Sequence, residues 1–454
     1  MTAVDAFVLE KMVESKLPGV GYVLLEGETV SYRSFGFRDM QRRLSPTPDS
    51  LFGLGSITKV FTALAIMQLR DRGELSLEDP LGKHLDIDVE VRGQEVTIEH
   101  LLSHTSGVPA LGYSESKMSK HWFMDGYPIN SYSDLLTFMR GAESWAHADP
   151  GKVWHYLNEG YILLGAIIER CSGMPYCDYI VRNILEPLGM ERSTFDQDRV
   201  EGDPDRAIPY LKRDGALFVG SNLYGEIPAA GGLVSTCRDM ASFAQMFLQD
   251  GGGLISSEGL ALMGRRYVAL PAEAVDVFSR SKKRPMRTSF YGLGLQIQTD
   301  FFGHDVIGHG GGVMGGTSYL AAIPARRLAV VLLANAHGYP LSQLAFVLLA
   351  AALGEEVEAL PFVRFERLLN RLAGSYASFR ETMLADVTCQ DGELTLSIHF
   401  AHEDRVYRLN PERVGRNRAR FQTTSGIRRL PVEFAFTAEG VELVIERYKF
   451  RKFI

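Results

Sequence analysis

Residues 53–70, GLGSITKVFTALAIMQLR, carry the most informative pattern in this 454-residue chain. Ser56 and Lys59 are three residues apart, so a helix that begins at Ser56 places both side chains on one face. No charged residue follows Lys59 until Arg70. The pattern therefore predicts a buried helix that follows a tight, glycine-rich turn, with a serine and a lysine side by side at its start.

Outside this segment, the hydrophobic periodicity predicts one α/β sheet with an inserted all-α region. A helical pattern over 3–16 precedes two β-rich runs in residues 20–37, and residues 80 to about 220 consist mainly of helical patches and long loops. Further strands are predicted at 231–236, 291–299, 305–311, 317–324 and 327–335.

The last hundred residues have a different texture. A linker with acidic residues and proline, GEEVEALP (354–361), leads to a predicted helix at 362–373, and short alternating strands follow. Period-2 alternation with turn residues between the runs is typical of a small antiparallel barrel or sandwich. We place the boundary near 355–362, which predicts two domains, 1–355 and 356–454.

Composition excludes several classes of function. A net charge of −7 and a pI near 5.9 argue against nucleic acid as the partner, because phosphate binding needs a basic surface. The N-terminus lacks the pattern of a signal peptide, and no apolar run is long enough to span a membrane. The four cysteines have no framework spacing, and the scattered histidines lack metal-ligand spacing. These features predict a cytoplasmic protein with no metal, no cofactor and no membrane partner.

The Ser56–Lys59 pair can carry nucleophilic chemistry. An alcohol needs a base to become a nucleophile, and a desolvated amine beside it can serve. The N-terminus of the helix adds free N–H groups that suit an oxyanion. The alternative is a serine that caps a helix, followed by an exposed lysine.

A second candidate element is Tyr156-Leu157-Asn158, which follows Pro150-Gly151 and Trp154. A phenol can give and take a proton, and a carboxamide can hold a substrate amide through both its ends. On an extended backbone, Tyr156 and Asn158 would point to the same side. The alternative is that both are ordinary core and capping residues.

The third element is a glycine-rich run on a predicted strand, which begins at His309 and continues through Gly310, Gly311 and Gly312. Such a strand packs poorly but lets another backbone approach closely. The N–H groups of Gly312 and Ser56 could together hold a carbonyl oxygen. The alternative is a glycine-rich hairpin that contains a structural histidine.

The chain resembles the serine β-lactamase and penicillin-binding-protein superfamily, in particular its class C-like CubicO group, because it has the three motifs S-x-x-K, Y-x-N and H-x-G in that order. The similarity covers about residues 1–350 and includes HLLSHTSG (100–107) and GGLVS (231–235). It implies a β-lactamase/transpeptidase-like α+β fold with an antiparallel sheet. YLNEGY (156–161) and the C-terminal strands are also similar to self-compartmentalising CubicO-type serine peptidases with a lipocalin-like barrel, which form closed oligomers and accept peptides with D-amino acids.

The resemblance implies a role for each matched residue. Ser56 would be acylated, Lys59 would share its proton network, and Tyr156 would relay protons to the leaving group. Asn158 would orient the substrate amide. The strand residues His309, Gly310 and Gly311 would line the substrate site, and Gly312 would provide the second oxyanion N–H beside that of Ser56.

Two departures from the family pattern bear on the substrate. Leu157 replaces the commoner Ser of Y-S-N, and His309-Gly310 replaces Lys-Thr of K-T-G. A histidine is mostly uncharged at neutral pH, so a cationic clamp for a carboxylate is missing. The sequence therefore predicts a serine peptidase or amidase for short peptides that acts as a homo-oligomer. A carboxylesterase, thioesterase or acyl-transferase and a catalytically idle scaffold remain as alternatives.

Two rival mechanisms have weaker support. The HGGG run at 309–312 resembles the oxyanion motif of α/β-hydrolase lipases, but that motif precedes a G-x-S-x-G elbow, which is absent from this chain. A Ser-His-Asp triad that uses His104 is conceivable, although His104 lies in a phrase that the family uses as a helix cap and loop.

Overall fold

The computed structural model describes residues 2–113, 132–220, 227–271, 288–390, 392–415 and 417–453. These residues separate into two compact units, one formed by residues up to Pro271 together with 288–354 and the other by residues 355–453. Residues 114–131 of the predicted helical insertion lie outside the described ranges.

The first unit is built on an eight-stranded antiparallel sheet with strand order β2-β1-β14-β13-β12-β11-β10-β9. Its strands are β1 (Gly19–Glu26), β2 (Thr29–Gly36), β9 (Val268–Ala269), β10 (Ser289–Tyr291), β11 (Gln296–Phe301), β12 (His304–Val313), β13 (Gly316–Ile323) and β14 (Leu328–Ala334). The antiparallel sheet that was predicted for this unit is confirmed.

Helices surround this sheet. They are α1 (Ala3–Ser15), α2 (Thr58–Asp71), α3 (Ile98–Leu102), α4 (Tyr132–Met139), α5 (Asn158–Ser172), α6 (Tyr176–Ile180), α7 (Gln197–Gly202), α8 (Pro228–Gly231), α9 (Cys237–Leu248), α10 (Ser257–Met263) and α11 (Leu341–Ala352). Helices α9 and α11 both pack against β14, all seven residues of which are buried. Because alternate strand residues point to opposite faces, both faces of the sheet are covered at this strand.

The insertion is mainly helical, but the prediction that it is all-α is wrong, because it also contains two short hairpins. These consist of β4 (Glu90–Val91) with β5 (Gln94–Glu95) and β6 (Tyr210–Arg213) with β7 (Ala216–Val219). The strand predicted at 231–236 is wrong in extent, because only β8 (Val234–Ser235) pairs, with β3 (Phe52–Gly53), while α8 occupies the residues before it. The run predicted at 291–299 is likewise interrupted at 292–295.

Helix α2 passes through the core of the first unit, and its residues Thr58 to Leu69 are all buried. Its one hydroxyl in the middle of the helix, on Thr62, lies 2.8 Å from the hydroxyl of Tyr176 and donates to the carbonyl oxygen of Ala229 at 2.7 Å. The polar atom is therefore satisfied inside an apolar environment, where an unpaired hydroxyl would be destabilising.

The second unit is a closed eight-stranded barrel that follows helix α12 (Pro361–Leu372). Its strands are β15 (Gly374–Ala377), β16 (Leu384–Gln390), β17 (Glu393–His399), β18 (Asp404–Val414), β19 (Arg418–Ser425), β20 (Arg428–Thr437), β21 (Gly440–Ile445) and β22 (Tyr448–Lys452). In β17 the apolar residues Leu394, Leu396 and Ile398 are buried and alternate with more exposed polar ones. Period-2 alternation thus produced the predicted barrel.

Within the described residues, no helix is both long and apolar enough to cross a membrane.

Candidate active site

Ser56 and Lys59 lie side by side where the chain enters helix α2. Ser56 belongs to a 3-10 turn, Gly55–Ile57, and the α-helix itself begins at Thr58. Lys59 Nζ donates to Ser56 Oγ at 3.1 Å and to the carbonyl oxygen of Ala230 at 2.6 Å. Lys59 is completely buried, so the alternative of an exposed lysine is wrong.

Tyr156 completes this group. Its hydroxyl is hydrogen-bonded to the side chain of Ser56, and its ring centroid lies 4.8 Å from Lys59 Nζ. Burial raises the pKa of the Tyr156 phenol above its usual value, and the hydrogen bond to Ser56 opposes that rise. The resting phenol is therefore neutral and keeps a proton that it can donate.

The phrase GGLVS (231–235) and the residue before it hold the nucleophile turn in place. The carbonyl oxygen of Ala230 accepts from Lys59, and Leu54 N–H donates to the carbonyl oxygen of Leu233 at 2.9 Å. In return, Leu233 N–H donates to Thr58 Oγ1 at 3.2 Å. The position of the lysine thus depends on backbone more than 170 residues away in the sequence, and the sequence pattern carried no signal for this contact.

Strand β12 approaches the same turn from the other side. An ideal Cβ on Gly55 would lie 2.7 Å from Gly312 N, and one on Gly311 would lie 1.9 Å from the carbonyl oxygen of Leu54. Gly55 also has a φ of +53°, which favours glycine. These close approaches place the backbone that leads into Ser56 directly against Gly311 and Gly312.

His309 is an interior residue of this strand. Its Nδ1 lies 2.6 Å from the carbonyl oxygen of Gly310, which can only accept, so Nδ1 carries the proton and Nε2 accepts from the hydroxyl of Tyr291 at 2.8 Å. Burial, together with the charge of Lys59, lowers the pKa of His309 to about 3. His309 is therefore neutral and bonded internally at both nitrogens, as in the structural-histidine alternative.

The remaining residues of the Y-x-N and H-x-G motifs neighbour Tyr156 and His309 in the sequence, but none of them is hydrogen-bonded to Ser56. Asn158 is the first residue of α5 rather than part of an extended segment, and its partly exposed side chain makes no hydrogen bond to any described residue. Leu157 is buried in the main core, where it replaces the family's serine by an apolar contact. Gly310 faces the ring of Tyr319, which a Cβ would contact at 3.3 Å.

The Ser-His-Asp alternative is not supported by the position of His104. Its Nδ1 accepts from Leu157 N–H at 3.1 Å, and its buried Nε2 has no hydrogen-bond partner among the described residues. No described carboxylate therefore orients this imidazole, as the third member of a triad would. Within the same ranges, no three His, Cys, Asp or Glu side chains are grouped closely enough to hold a metal ion.

Comparison with known proteins identifies two regions. The Beta-lactamase family matches residues 4–353, and the Pab87 octamerisation domain matches residues 357–451. Penicillin-binding protein 4* of Bacillus subtilis is 28% identical over 328 residues, which are 68% of this chain and 66% of that protein. The chain thus spans just under two thirds of the length of this relative.

Two solved structures are similar over larger shares of their chains. The octameric penicillin-binding protein homologue from Pyrococcus abyssi is 37% identical, has a TM-score of 0.90, and covers 99% of this chain and 99% of its own. A D-stereospecific amidohydrolase from Streptomyces sp. is 25% identical, with a TM-score of 0.62, and covers 75% of this chain and 96% of its own.

Proposed function

Because the chain belongs to the Beta-lactamase family of serine hydrolases, we propose that it hydrolyses amide bonds of short peptides through an acyl-enzyme on Ser56. The observation that carries this proposal is the contact of Ser56 Oγ with both the buried Nζ of Lys59, at 3.1 Å, and the phenol of Tyr156. A serine with two proton carriers is equipped for nucleophilic catalysis.

The reaction proceeds in two halves. With Lys59 as a free amine, Ser56 Oγ attacks the carbonyl carbon and its proton passes to Lys59 Nζ, while the N–H groups of Ser56 and Gly312 hold the oxyanion. The C–N bond then breaks as Tyr156 protonates the leaving amine and receives the proton from Lys59, so the Lys59–Tyr156 pair can accept another proton. In the second half a water molecule loses a proton to the same pair, attacks the ester carbonyl, and returns Ser56 to its alcohol form. Lys59 and Tyr156 act as one coupled system in which the free amine of Lys59 is the base, because the phenol of Tyr156 is already protonated.

The electrostatics of the site favour substrates without a carboxylate next to the scissile bond. The imidazole of His309 stands where the family often has a lysine, and its pKa of about 3 keeps it neutral. A β-lactam or a peptide C-terminus presents a carboxylate and gains no cation there. We therefore place the chain among aminopeptidase-like amidases rather than β-lactamases. The similarity to a D-stereospecific amidohydrolase supports a preference for D-residues.

An esterase, thioesterase or acyl-transferase on the same site is the second candidate. The glycine-rich, uncharged strand at 310–312 favours it, because such a surface imposes little charge selection on the leaving group. Comparing kcat/KM for short acyl esters with that for D- and L-aminoacyl p-nitroanilides separates the two activities. A catalytically idle scaffold is the third candidate. The retention of Ser56, Lys59 and Tyr156 in contact argues against it.

The test is intact-mass analysis after incubation with a fluorophosphonate, followed by assays on D- and L-aminoacyl p-nitroanilides. We expect one adduct on the wild type and on Ser144→Ala, which removes an exposed serine hydroxyl, and none on Ser56→Ala. Turnover of the D-substrates supports the amidase. Full activity of Ser56→Ala would show that the nucleophile is misassigned, and an unreactive wild type would favour the scaffold.

We also propose that residues 1–355 form the catalytic domain and residues 356–454 a domain for assembly into a homo-oligomer. The match of residues 357–451 to an octamerisation domain and the similarity to an octameric homologue support this. Exposed apolar side chains on the barrel, among them Val406 and Phe453, suit a subunit contact. Light scattering of the full chain and of a chain truncated after residue 360 is the test. An unchanged oligomer after truncation would rule out assembly through the barrel.

A further inference from the structure

His104 lies directly against the ring of Tyr156 and is hydrogen-bonded to both chain neighbours of Tyr156. The centroids of the two rings are 4.3 Å apart. The backbone carbonyl oxygen of His104 accepts from His155 N–H at 2.8 Å, and its imidazole Nδ1 accepts from Leu157 N–H at 3.1 Å. The residues immediately before and after Tyr156 are thus both hydrogen-bonded to one histidine, so the backbone that carries the phenol is held on both sides.

The backbone of His104 is itself unusual. Its φ is +57°, in the left-handed region that residues other than glycine adopt uncommonly, although histidine does so more often than most, and the side chain is 1% exposed. The neighbouring chain keeps it there, because Thr105 N–H donates to the carbonyl oxygen of His100 and Gly151 N–H donates to that of Thr105. These hydrogen bonds therefore hold a buried residue in a sparsely populated backbone conformation.

The protonation state of His104 suits an acceptor. Since Leu157 N–H is a donor, Nδ1 must be unprotonated and the proton resides on Nε2. Burial, with the charge of Lys59 adding to it, lowers the pKa of His104 well below its usual value. The imidazole is thus held in the one state that can accept from Leu157, because protonation would set two N–H groups against each other.

Nε2 gives no reason for a histidine at this position. It is buried and has no hydrogen-bond partner among the described residues. The useful atom is Nδ1, and the useful surface is the ring face against Tyr156.

We propose that His104 is a positioning residue that sets the phenol of Tyr156 against Ser56 by holding the Leu157 amide with Nδ1. This rests on the proposed function, in which Tyr156 handles the proton of Ser56. His104 touches neither Ser56 nor substrate in this role, so it acts entirely through Tyr156. Without His104 Nδ1 as acceptor, the backbone at Tyr156 can shift. Proton transfer between Ser56 and Tyr156 then becomes slower, while the substrate-binding surface is unchanged.

Two substitutions isolate the acceptor. His104→Gly removes it and His104→Asn keeps an oxygen close to the place of Nδ1, and both residues tolerate a φ of +57°. For the glycine variant we expect kcat on a short acyl ester to fall about 100-fold, the typical result of misplacing a catalytic group by about 1 Å, with KM unchanged. We expect the asparagine variant to regain most of that loss.

The outcomes separate a positioning role from a structural one. A loss in the glycine variant that asparagine does not restore, or a loss that appears only in KM, would overturn the proposal, as would full activity of the glycine variant. If the glycine variant does not fold, leucic acid incorporated at position 157 replaces the N–H of Leu157 by an ester oxygen and leaves His104 in place. The same fall in kcat is then expected.

A measurement that needs no activity distinguishes failure of this inference from failure of the proposed function. Amide hydrogen exchange at Leu157 should be slow in the wild type and in His104→Asn and fast in His104→Gly. A crystal structure of the glycine variant should show the Tyr156 hydroxyl displaced from Ser56. An unreactive wild type would reject the proposed function. An undisplaced Tyr156 would reject the positioning role, whatever the activity.

Discussion

The substitution Gly311→Ala tests how closely strand β12 approaches the nucleophile turn. A Cβ on Gly311 would lie 1.9 Å from the carbonyl oxygen of Leu54 and 2.3 Å from Ser318 Oγ, whereas real Cβ contacts are essentially never shorter than 3.0 Å. The carbonyl oxygen of Leu54 is a backbone atom and already accepts a hydrogen bond from Ser318 Oγ at 2.6 Å. Neither atom can therefore move away without a cost in stability. Strand and turn must separate by about 1 Å.

That displacement moves Ser56 relative to Gly312, so we expect kcat/KM and the rate of fluorophosphonate labelling to fall about 100-fold. Overpacking should also lower the free energy of unfolding by about 1–3 kcal/mol. Gly202→Ala is the control, because a Cβ there has no atom within 4 Å. Labelling of Gly311→Ala at the wild-type rate would refute the close approach. A fall of equal size in the control would show a general sensitivity to alanine.

Three further predictions follow from single groups. Tyr156→Phe should lower kcat about 10²–10⁴-fold, whereas the barrel variant Tyr448→Phe should not, and a phenylalanine enzyme with full kcat would remove Tyr156 from the proton path. The pKa of His309 is about 3 in the folded chain and 6.5 ordinarily. Between pH 3 and 6.5 this imidazole is therefore protonated in the unfolded chain and neutral in the folded chain. The free energy of unfolding should therefore fall with pH from 6.5 to 3, by up to about 1.4 kcal/mol per unit for this group, and His309→Gln should flatten the slope in urea titrations. In the barrel, Phe434→Ala should cost about 3–5 kcal/mol, since Phe434 is fully buried, and a loss below about 1 kcal/mol in the same titration would contradict that packing.

The sequence anticipated those features that depend on local periodicity. Helix α12 and the barrel strands follow from 3.6-residue and two-residue repeats, which are properties of neighbouring residues. The strand predicted at 231–236 failed for the same reason. A short apolar run with glycines has no decisive period, and tertiary contacts made Pro228–Gly231 helical and left only Val234–Ser235 to pair.

The contacts around the candidate nucleophile likewise include some that are local in the sequence and some that depend on tertiary structure. Ser56 and Lys59 are three residues apart, so local helical geometry alone brings their side chains together, and the sequence by itself determined that pair. The partner of Lys59 at Ala230, the partner of His309 at Tyr291 and the contact of His104 with Leu157 were decided only by the tertiary structure. These contacts join residues that are 18 to 171 positions apart in the sequence. Their geometry arises from packing between separate elements, and the local sequence pattern of either element does not predict that packing.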